Sequence, residues 1–361
     1  MKKNYLLTPG PTIIPGEVID AMARPIIHHR TPEYKKVTAS VNENLKKIFK
    51  TSQNVLTFTA SGTGAMEASV SNTMQKGDTA IVVRGGKFGE RFEEICRAYG
   101  VNVIPIDVEW GTRPDPKEVE SKLKGNPAVK AVFLQLCETS TATAYDIQPL
   151  GDIVAKTDAI LVVDGISGLG ADTFGMDDWN VDITIGGSQK AFMIPPGLSF
   201  CAVSKKAWEM VKKSDLPKYY YNFQKYDKLI EKSDTPWTPA ISLMIGLDKA
   251  LSMIVDEGVD NFVKRHQDDA EYARKSLKDM GLEIFSKFPS NAVTAVSVPE
   301  GIDGGKLIKS MKAKDVTFAG GQGHLKGKIF RFAHMGGITK ADLKFALDRL
   351  KETLKEEDIK A

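Results

Sequence analysis

Between about Val55 and Phe200 short apolar runs alternate with amphipathic stretches. Val55-Leu56-Thr57-Phe58 reads as a strand, followed by the turn Ser61-Gly62-Thr63-Gly64 and a helical run from Ala65. Thr79-Ala80-Ile81-Val82-Val83 predicts the next strand, and residues 88–98 the next helix. Further strands are expected over residues 101–106, 131–136, 160–163, 181–185 and 198–203. Short runs rich in Val and Ile, separated by helices, are the pattern of parallel strands buried on both faces. The prediction is an α/β domain with helices on both faces of a mostly parallel central sheet.

The texture then changes. Residues 205–232 are aromatic and charged, and Thr235-Pro236-Trp237-Thr238-Pro239 punctuates the chain. One long helical pattern is read from 240 to about 280, strands over 293–298, 316–319 and 329–333, and a closing helix over 340–356. This second half reads as a smaller α+β C-terminal domain. The expected organisation is an N-terminal extended segment over residues 1–20, a large domain over 21–256 and a small domain over 257–361. A length of 361 residues agrees with roughly two domains.

Composition narrows the function classes. Lys plus Arg number 49 against 46 Asp plus Glu, a net charge of +3, which lacks the basic excess of a nucleic-acid binder. The longest aliphatic runs, such as Ala159-Ile160-Leu161-Val162-Val163, fall far short of the ~20 residues that span a bilayer. Met1-Lys2-Lys3-Asn4-Tyr5-Leu6-Leu7 lacks the apolar core of a signal peptide. Cys96, Cys137 and Cys201 are scattered, fitting buried thiols rather than a disulfide framework or zinc site. The adjacent His28 and His29 have no carboxylate cluster beside them, so no metal is expected. A cytoplasmic protein with no membrane or nucleic-acid partner is expected.

Three segments carry candidate chemistry. Ser61-Gly62-Thr63-Gly64 follows a strand and opens a helix, where free N–H groups and the helix dipole suit a phosphate. The same segment also reads as an ordinary capped helix. It completes neither a Walker loop nor a dinucleotide fingerprint, because Glu67 stands where the third Gly belongs. Asp164 ends a doubly buried strand, at the edge where open α/β sheets bind ligands. It also reads as a cap on the following turn. Lys190 lies between two strands among small and apolar residues, in Gly186-Gly187-Ser188-Gln189-Lys190. Burial there would lower its pKa and free a neutral amine for Schiff-base chemistry, with a structural lysine as the alternative. A phosphate cradle, a strand-end carboxylate and a lysine are together the anchors of pyridoxal phosphate.

The chain resembles the class V pyridoxal-phosphate-dependent aminotransferases of fold type I, near the alanine–glyoxylate and serine–pyruvate aminotransferase group. The likeness runs over nearly the whole chain, through Thr8-Pro9-Gly10-Pro11-Thr12, His29-Arg30-Thr31-Pro32, Ser61-Gly62-Thr63-Gly64, Val163-Asp164, Ser188-Gln189-Lys190 and Pro195-Pro196-Gly197. The resemblance implies that Lys190 is the Schiff-base lysine and Asp164 the partner of the pyridine nitrogen. It implies that Ser61, Gly62, Thr63 and Gln189 hold the phosphate, that Phe88 stacks on the ring, and that Thr139 faces the cofactor. Arg331 would grip the substrate carboxylate, with a structural salt bridge as the alternative, and Gly10 would lie against the substrate. Thr235 or Thr238 would reach the phosphate of a neighbouring subunit, which requires a homodimer with shared active sites. The implied activity is ping-pong transfer of an amino group from alanine or serine to glyoxylate or pyruvate. Aspartate as donor, a related lyase and a cysteine desulfurase are the alternatives. Arg30 and His334 are the cations that would serve an aspartate side chain.

Overall fold

The computed structural model describes residues 4–356. Seven strands form the central sheet: β1 (Val55–Phe58), β2 (Thr79–Arg84), β3 (Asn102–Asp107), β4 (Val129–Gln135), β5 (Ile160–Asp164), β6 (Ile183–Gly187) and β7 (Ser199–Val203). Their order is β1-β7-β6-β5-β4-β2-β3. Only β7 runs antiparallel to its neighbours within this sheet, as its pairing with β1 and β6 shows. The mostly parallel α/β prediction therefore holds. β4, β5 and β6 are buried almost throughout, which is why they read as continuous apolar runs rather than alternating ones.

The helices of the large unit are α1 (Gly16–Met22), α2 (Pro32–Phe49), α3 (Gly62–Thr73), α4 (Lys87–Ala98), α5 (Pro116–Gly125), α6 (Ile147–Val154), α7 (Lys205–Val211), α8 (Phe223–Ile230) and α9 (Ile241–Glu257). On one face α3 and α4 pack Ala65, Met66, Phe92 and Cys96 against Phe133, Val162 and Ile185. On the other, α2, α6 and α9 cover Val132, Leu161 and Val163. Where the helix signals are strong they are simple: Thr31 accepts from the Tyr34 N–H with Pro32 in the first turn, and Asp115 does the same for α5 ahead of Pro116.

The C-terminal unit holds α10 (Val259–Asp279), α11 (Gly304–Ala313), α12 (Lys340–Glu356) and an antiparallel sheet of β8 (Val293–Ser297), β9 (Ala319–Gly320) and β10 (Ile329–Ala333), ordered β8-β10-β9. Three expectations need correction. The first 20 residues are not extended throughout, since Pro15 presets the backbone and α1 starts at Gly16. The long helix breaks at Gly258, whose φ of +88° no L side chain adopts readily, giving α9 and α10. The strand expected over 316–319 is split: Val316–Thr317 pairs in parallel with Tyr5–Leu6, while β9 pairs with β10. Leu7 accordingly packs with Phe330, Phe332 and Leu347 in one hydrophobic cluster. No helix among the described residues is long and apolar enough to cross a membrane.

Candidate active site

Lys190 follows β6 on a tight turn and is only 8% exposed. Its Nζ donates to the Pro9 carbonyl, and Thr12 Oγ1 donates to its own carbonyl at 3.0 Å. Burial lowers its amine to about 8, with the Arg331 and Arg91 charges adding to the drop. Gly10 is needed there: a Cβ would stand 2.7 Å from Lys190 Nζ, and its φ of +107° belongs to glycine. The Pro9-Gly10-Pro11 segment thus closes over the lysine.

Asp164 sits at the carboxyl end of β5 and accepts from the Ile166 N–H at 2.9 Å. Its Oδ1 does close the following turn, but burial raises the carboxyl to about 7, opposed by that hydrogen bond. A cation facing it would reverse the rise. Ile166 then packs under Gly62, where a Cβ would collide with it. This contact links the turn after β5 to the start of α3.

At that start Ser61 adopts the extended conformation of a cap, yet its side chain makes no capping bond. The plain capped-helix reading therefore fails for the serine hydroxyl. Thr63 Oγ1 accepts from Arg91 Nη1 at 3.1 Å, and the Arg91 guanidinium lies 4.8 Å from the centre of the Phe88 ring. The Gln189 Oε1 atom, beside Lys190, is buried without a hydrogen-bond partner among the described residues. A buried unpaired acceptor costs about 1–3 kcal/mol, so such a group marks a place built for something else.

Arg331, in the middle strand of the C-terminal sheet, is 6% exposed. Its Nε and Nη2 donate to the Gly320 carbonyl and its Nη1 donates to the Thr139 carbonyl at 3.1 Å. Among the described residues no carboxylate pairs with it, so the salt-bridge alternative falls away. Thr139 is buried and its hydroxyl donates to Ser167 Oγ at 2.6 Å. The charges of Asp164, Arg331 and Arg91 all reach Lys190, and those of Lys190 and Arg91 reach Asp164.

Thr235 and Thr238 are not brought into this group within one chain. Thr235 Oγ1 donates to the Trp237 carbonyl at 2.8 Å, whereas Thr238 is exposed and its hydroxyl has no partner among the described residues. Arg30 is committed to Asp234 and to the Thr235 carbonyl. His334 is fully buried, with Thr294 and Asn291 on its two ring nitrogens, and burial lowers it to about 3. Arg30 is already paired and His334 is neutral, so neither is left to serve a second carboxylate. The three cysteines are buried, and burial pushes the Cys96 thiol up to about 12. None has the exposed, activated thiolate that desulfuration needs.

Two residues of the site carry no role in the sequence reading. Glu138 is completely buried, and its Oε2 accepts from the Phe88 and Gly89 N–H groups, each at 3.1 Å. Its Oε1 accepts from the Ser140 N–H at 3.1 Å and hydroxyl at 2.5 Å, while Ser140 Oγ accepts from the Lys87 N–H at 3.0 Å. Burial raises the Glu138 carboxyl and these bonds oppose the rise. The segment that bears Thr139 is thereby fastened to the one that bears Phe88. A carboxylate ending an apolar run was the available signal, the same one that singles out Asp164. Arg91 is the second; its signal was the three-residue spacing from Phe88, which puts both on one helix face.

A buried lysine with a depressed pKa, a strand-end carboxylate, an open helix terminus and an arginine with no carboxylate partner among the described residues fit pyridoxal phosphate and the chemistry of a cofactor-dependent amino-group enzyme of fold type I. Comparison with known proteins agrees: residues 4–335 match the family described as Aminotransferase class-V. The chain is 40% identical over 98% of its length to an uncharacterized aminotransferase of Methanocaldococcus jannaschii, covering 93% of that protein. It is 36% identical to a serine–glyoxylate aminotransferase of Hyphomicrobium methylovorum, with 98% and 90% of the two chains covered. The crystal structure of an aspartate aminotransferase of subgroup IV from Thermus thermophilus superposes with a TM-score of 0.91 at 30% identity, covering 97% of this chain and 99% of that one. The chain belongs to the class V aminotransferase family, and is a transaminase that works with pyridoxal phosphate.

Proposed function

We propose that this enzyme moves the amino group of a small L-amino acid, alanine or serine, to glyoxylate or pyruvate by a ping-pong mechanism. The observation that carries this reading is Arg331: a buried guanidinium with only carbonyl partners, beside Lys190 and Thr139. Guanidinium pairs bidentately with carboxylate, so Arg331 fixes the substrate's α-carboxylate. Arg30 and His334 are already engaged, which favours a donor with no second carboxylate.

Pyridoxal phosphate supplies the carbonyl that takes up nitrogen and the electron-accepting ring. Ser61, Gly62, Thr63 and the side-chain NH2 of Gln189 would hold its phosphate, and Phe88 would form one wall of the ring slot. Asp164 would pair with the ring nitrogen and keep it protonated. Lys190 Nζ accepts the proton from the donor's α-carbon and returns it on the other side of the transfer; an amine near 8 is suited to that exchange at neutral pH. Gly10 leaves room for it. The donor then leaves as a 2-oxo acid before the acceptor binds in the same place, against the same arginine.

The working unit of this proposal is a cytoplasmic homodimer. Ile19 is 50% exposed, Ile26 70% and Tyr219 71%, apolar surface that a second subunit would cover. Of the two threonines, Thr238 has the hydroxyl without a partner among the described residues to offer a neighbouring phosphate. The test is a set of single-substrate half-reactions on the purified holoenzyme. L-alanine or L-serine is expected to bleach the cofactor's visible band, and glyoxylate or pyruvate to restore it. Bleaching by L-aspartate alone overturns the choice of donor, and a band that no donor shifts overturns the reaction.

A further inference from the structure

We infer that Arg91 is a phosphate-recognition residue of the cofactor cradle, acting together with Thr63 at the start of α3. The inference rests on the reading of Ser61-Gly62-Thr63 as the phosphate site. It begins with placement. Arg91 stands three residues beyond Phe88 on α4, so both side chains leave the same helix face. Its Nη1 meets Thr63 Oγ1 at 3.1 Å and its guanidinium lies against the Phe88 ring. One side chain therefore touches both the expected phosphate wall and the expected ring wall.

Charge accounts for the next step. Arg91 has no carboxylate partner among the described residues, although α4 is rich in acids. Glu93 serves Arg84 at 2.5 Å and Arg97 at 2.7 Å, and Glu90 serves Lys87. The unpaired guanidinium is held instead beside the N-terminus of α3, which is itself electropositive. Two positive features set side by side repel unless an anion joins them, and a phosphate dianion satisfies both. A cofactor phosphate carries about two negative charges. Lys190 and Arg331 are assigned to amine chemistry and to the substrate carboxylate, so neither neutralises it.

Hydrogen-bond direction completes the case. A threonine hydroxyl has one proton to give and lone pairs to receive. Thr63 Oγ1 already receives from Arg91, which leaves its proton to be donated. Arg91 thus orients that hydroxyl as a donor toward an acceptor at the helix end while adding its own charge. It is a positioning and recognition residue, without a part in moving the α-proton.

The phosphate gives the experiment its control, because pyridoxal has the same ring and aldehyde without it. The full-length protein, freed of cofactor, is titrated with pyridoxal phosphate and separately with pyridoxal, following the visible band of the bound form. The R91Q substitution is expected to weaken pyridoxal phosphate by about 10- to 100-fold, the range for a lost charged hydrogen bond, and pyridoxal by less than about twofold. R91K, which keeps the charge and loses the fork, should fall between wild type and R91Q for pyridoxal phosphate. Equal weakening of both compounds by R91Q and R91K would show that Arg91 only props the Phe88 ring, and no weakening of either would remove it from the site; each overturns the inference while leaving the transaminase reading intact. A wild-type protein that fails to prefer pyridoxal phosphate over pyridoxal overturns the phosphate cradle itself, and Arg91's role with it. If R91Q proves unfolded by far-UV circular dichroism, R91K decides the matter by the same two titrations.

Discussion

Two neighbouring helix termini, both facing the same side of the central sheet, are finished in opposite ways. α4 is closed: the N–H groups of Lys87, Phe88 and Gly89 are all taken, the first by Ser140 and the other two by the buried Glu138. Its capping position is Gly86, where a Cβ would stand 2.5 Å from Glu138 Cγ. α3 is open: Ser61 has the backbone of a cap, but its hydroxyl is not turned back onto the helix. Both termini carry the same dipole and the same orphan donors. The closed one contributes to the stability of the empty protein and gives Phe88 a fixed base. The open one adds stability only when an anion binds, as ligand linkage requires. An enzyme that keeps its cofactor by its phosphate needs one of each: a rigid wall and a free end.

The largest effect should come from breaking the closed terminus. In the E138Q variant the side chain keeps its size, but either orientation of the amide points an NH2 group at two donors. With the NH2 turned toward Ser140, whose hydroxyl can rotate to accept, the Ser140 N–H still loses its acceptor, at about 1–3 kcal/mol. The variant is expected to lose about 1–3 kcal/mol of unfolding free energy in urea and to hold the cofactor more weakly, because the tie between the Ser140 and Phe88 segments is loosened. If E138Q keeps wild-type stability, Glu138 is neutral in the folded protein and the closed terminus is not an ionic one.

A smaller effect sharpens the open end. If a neighbouring subunit completes the phosphate site, T238A should weaken cofactor binding by roughly tenfold, the value of one charged hydrogen bond. T235A should leave it near wild type, since that hydroxyl is engaged with the Trp237 carbonyl. The two titrations, run beside a sedimentation measurement of subunit number, decide between them. An effect of T235A without one of T238A would reverse the assignment.

Much of this arrangement was legible in the chain. Strands buried on both faces appear as uniform runs, so β1 to β7 were readable to within a few residues, and the segments bearing Ser61, Asp164 and Lys190 fell at or just beyond the carboxyl ends of β1, β5 and β6. Arg331 was singled out by the resemblance, and its place in an apolar strand suits a guanidinium that takes an anion. What stayed hidden depends on contacts distant in sequence. Nothing local says that Glu138 folds onto Phe88 and Gly89 about 50 residues earlier. α2 was missed although Thr31 and Pro32 announce it, because its apolar positions are spread among lysines and asparagines. The break at Gly258 was read through because apolar spacing resumes on its far side, and the turn depends on one φ value that periodicity does not report. The pairing of Tyr5–Leu6 with Val316–Thr317 joins the two ends of the chain through two-residue strands, too short to carry a pattern.

The smallest expected effect is the most discriminating. A serine that caps its helix costs about 1 kcal/mol of stability when changed to alanine. Ser61 makes no such bond, so S61A should change the stability of the cofactor-free protein by less than ~0.3 kcal/mol. Asn222 is the internal control: its side chain accepts from the Lys225 N–H at 3.2 Å, and N222A should show the full cost of about 1 kcal/mol. With cofactor the order inverts. S61A should weaken pyridoxal phosphate by about fivefold, close to 1 kcal/mol, and N222A should leave it unchanged. Urea unfolding without cofactor and titration with it separate the two variants along both axes. Should S61A destabilise the empty protein as much as N222A does, Ser61 caps α3 in solution, both termini are closed, and the phosphate must be held by something other than a free helix end.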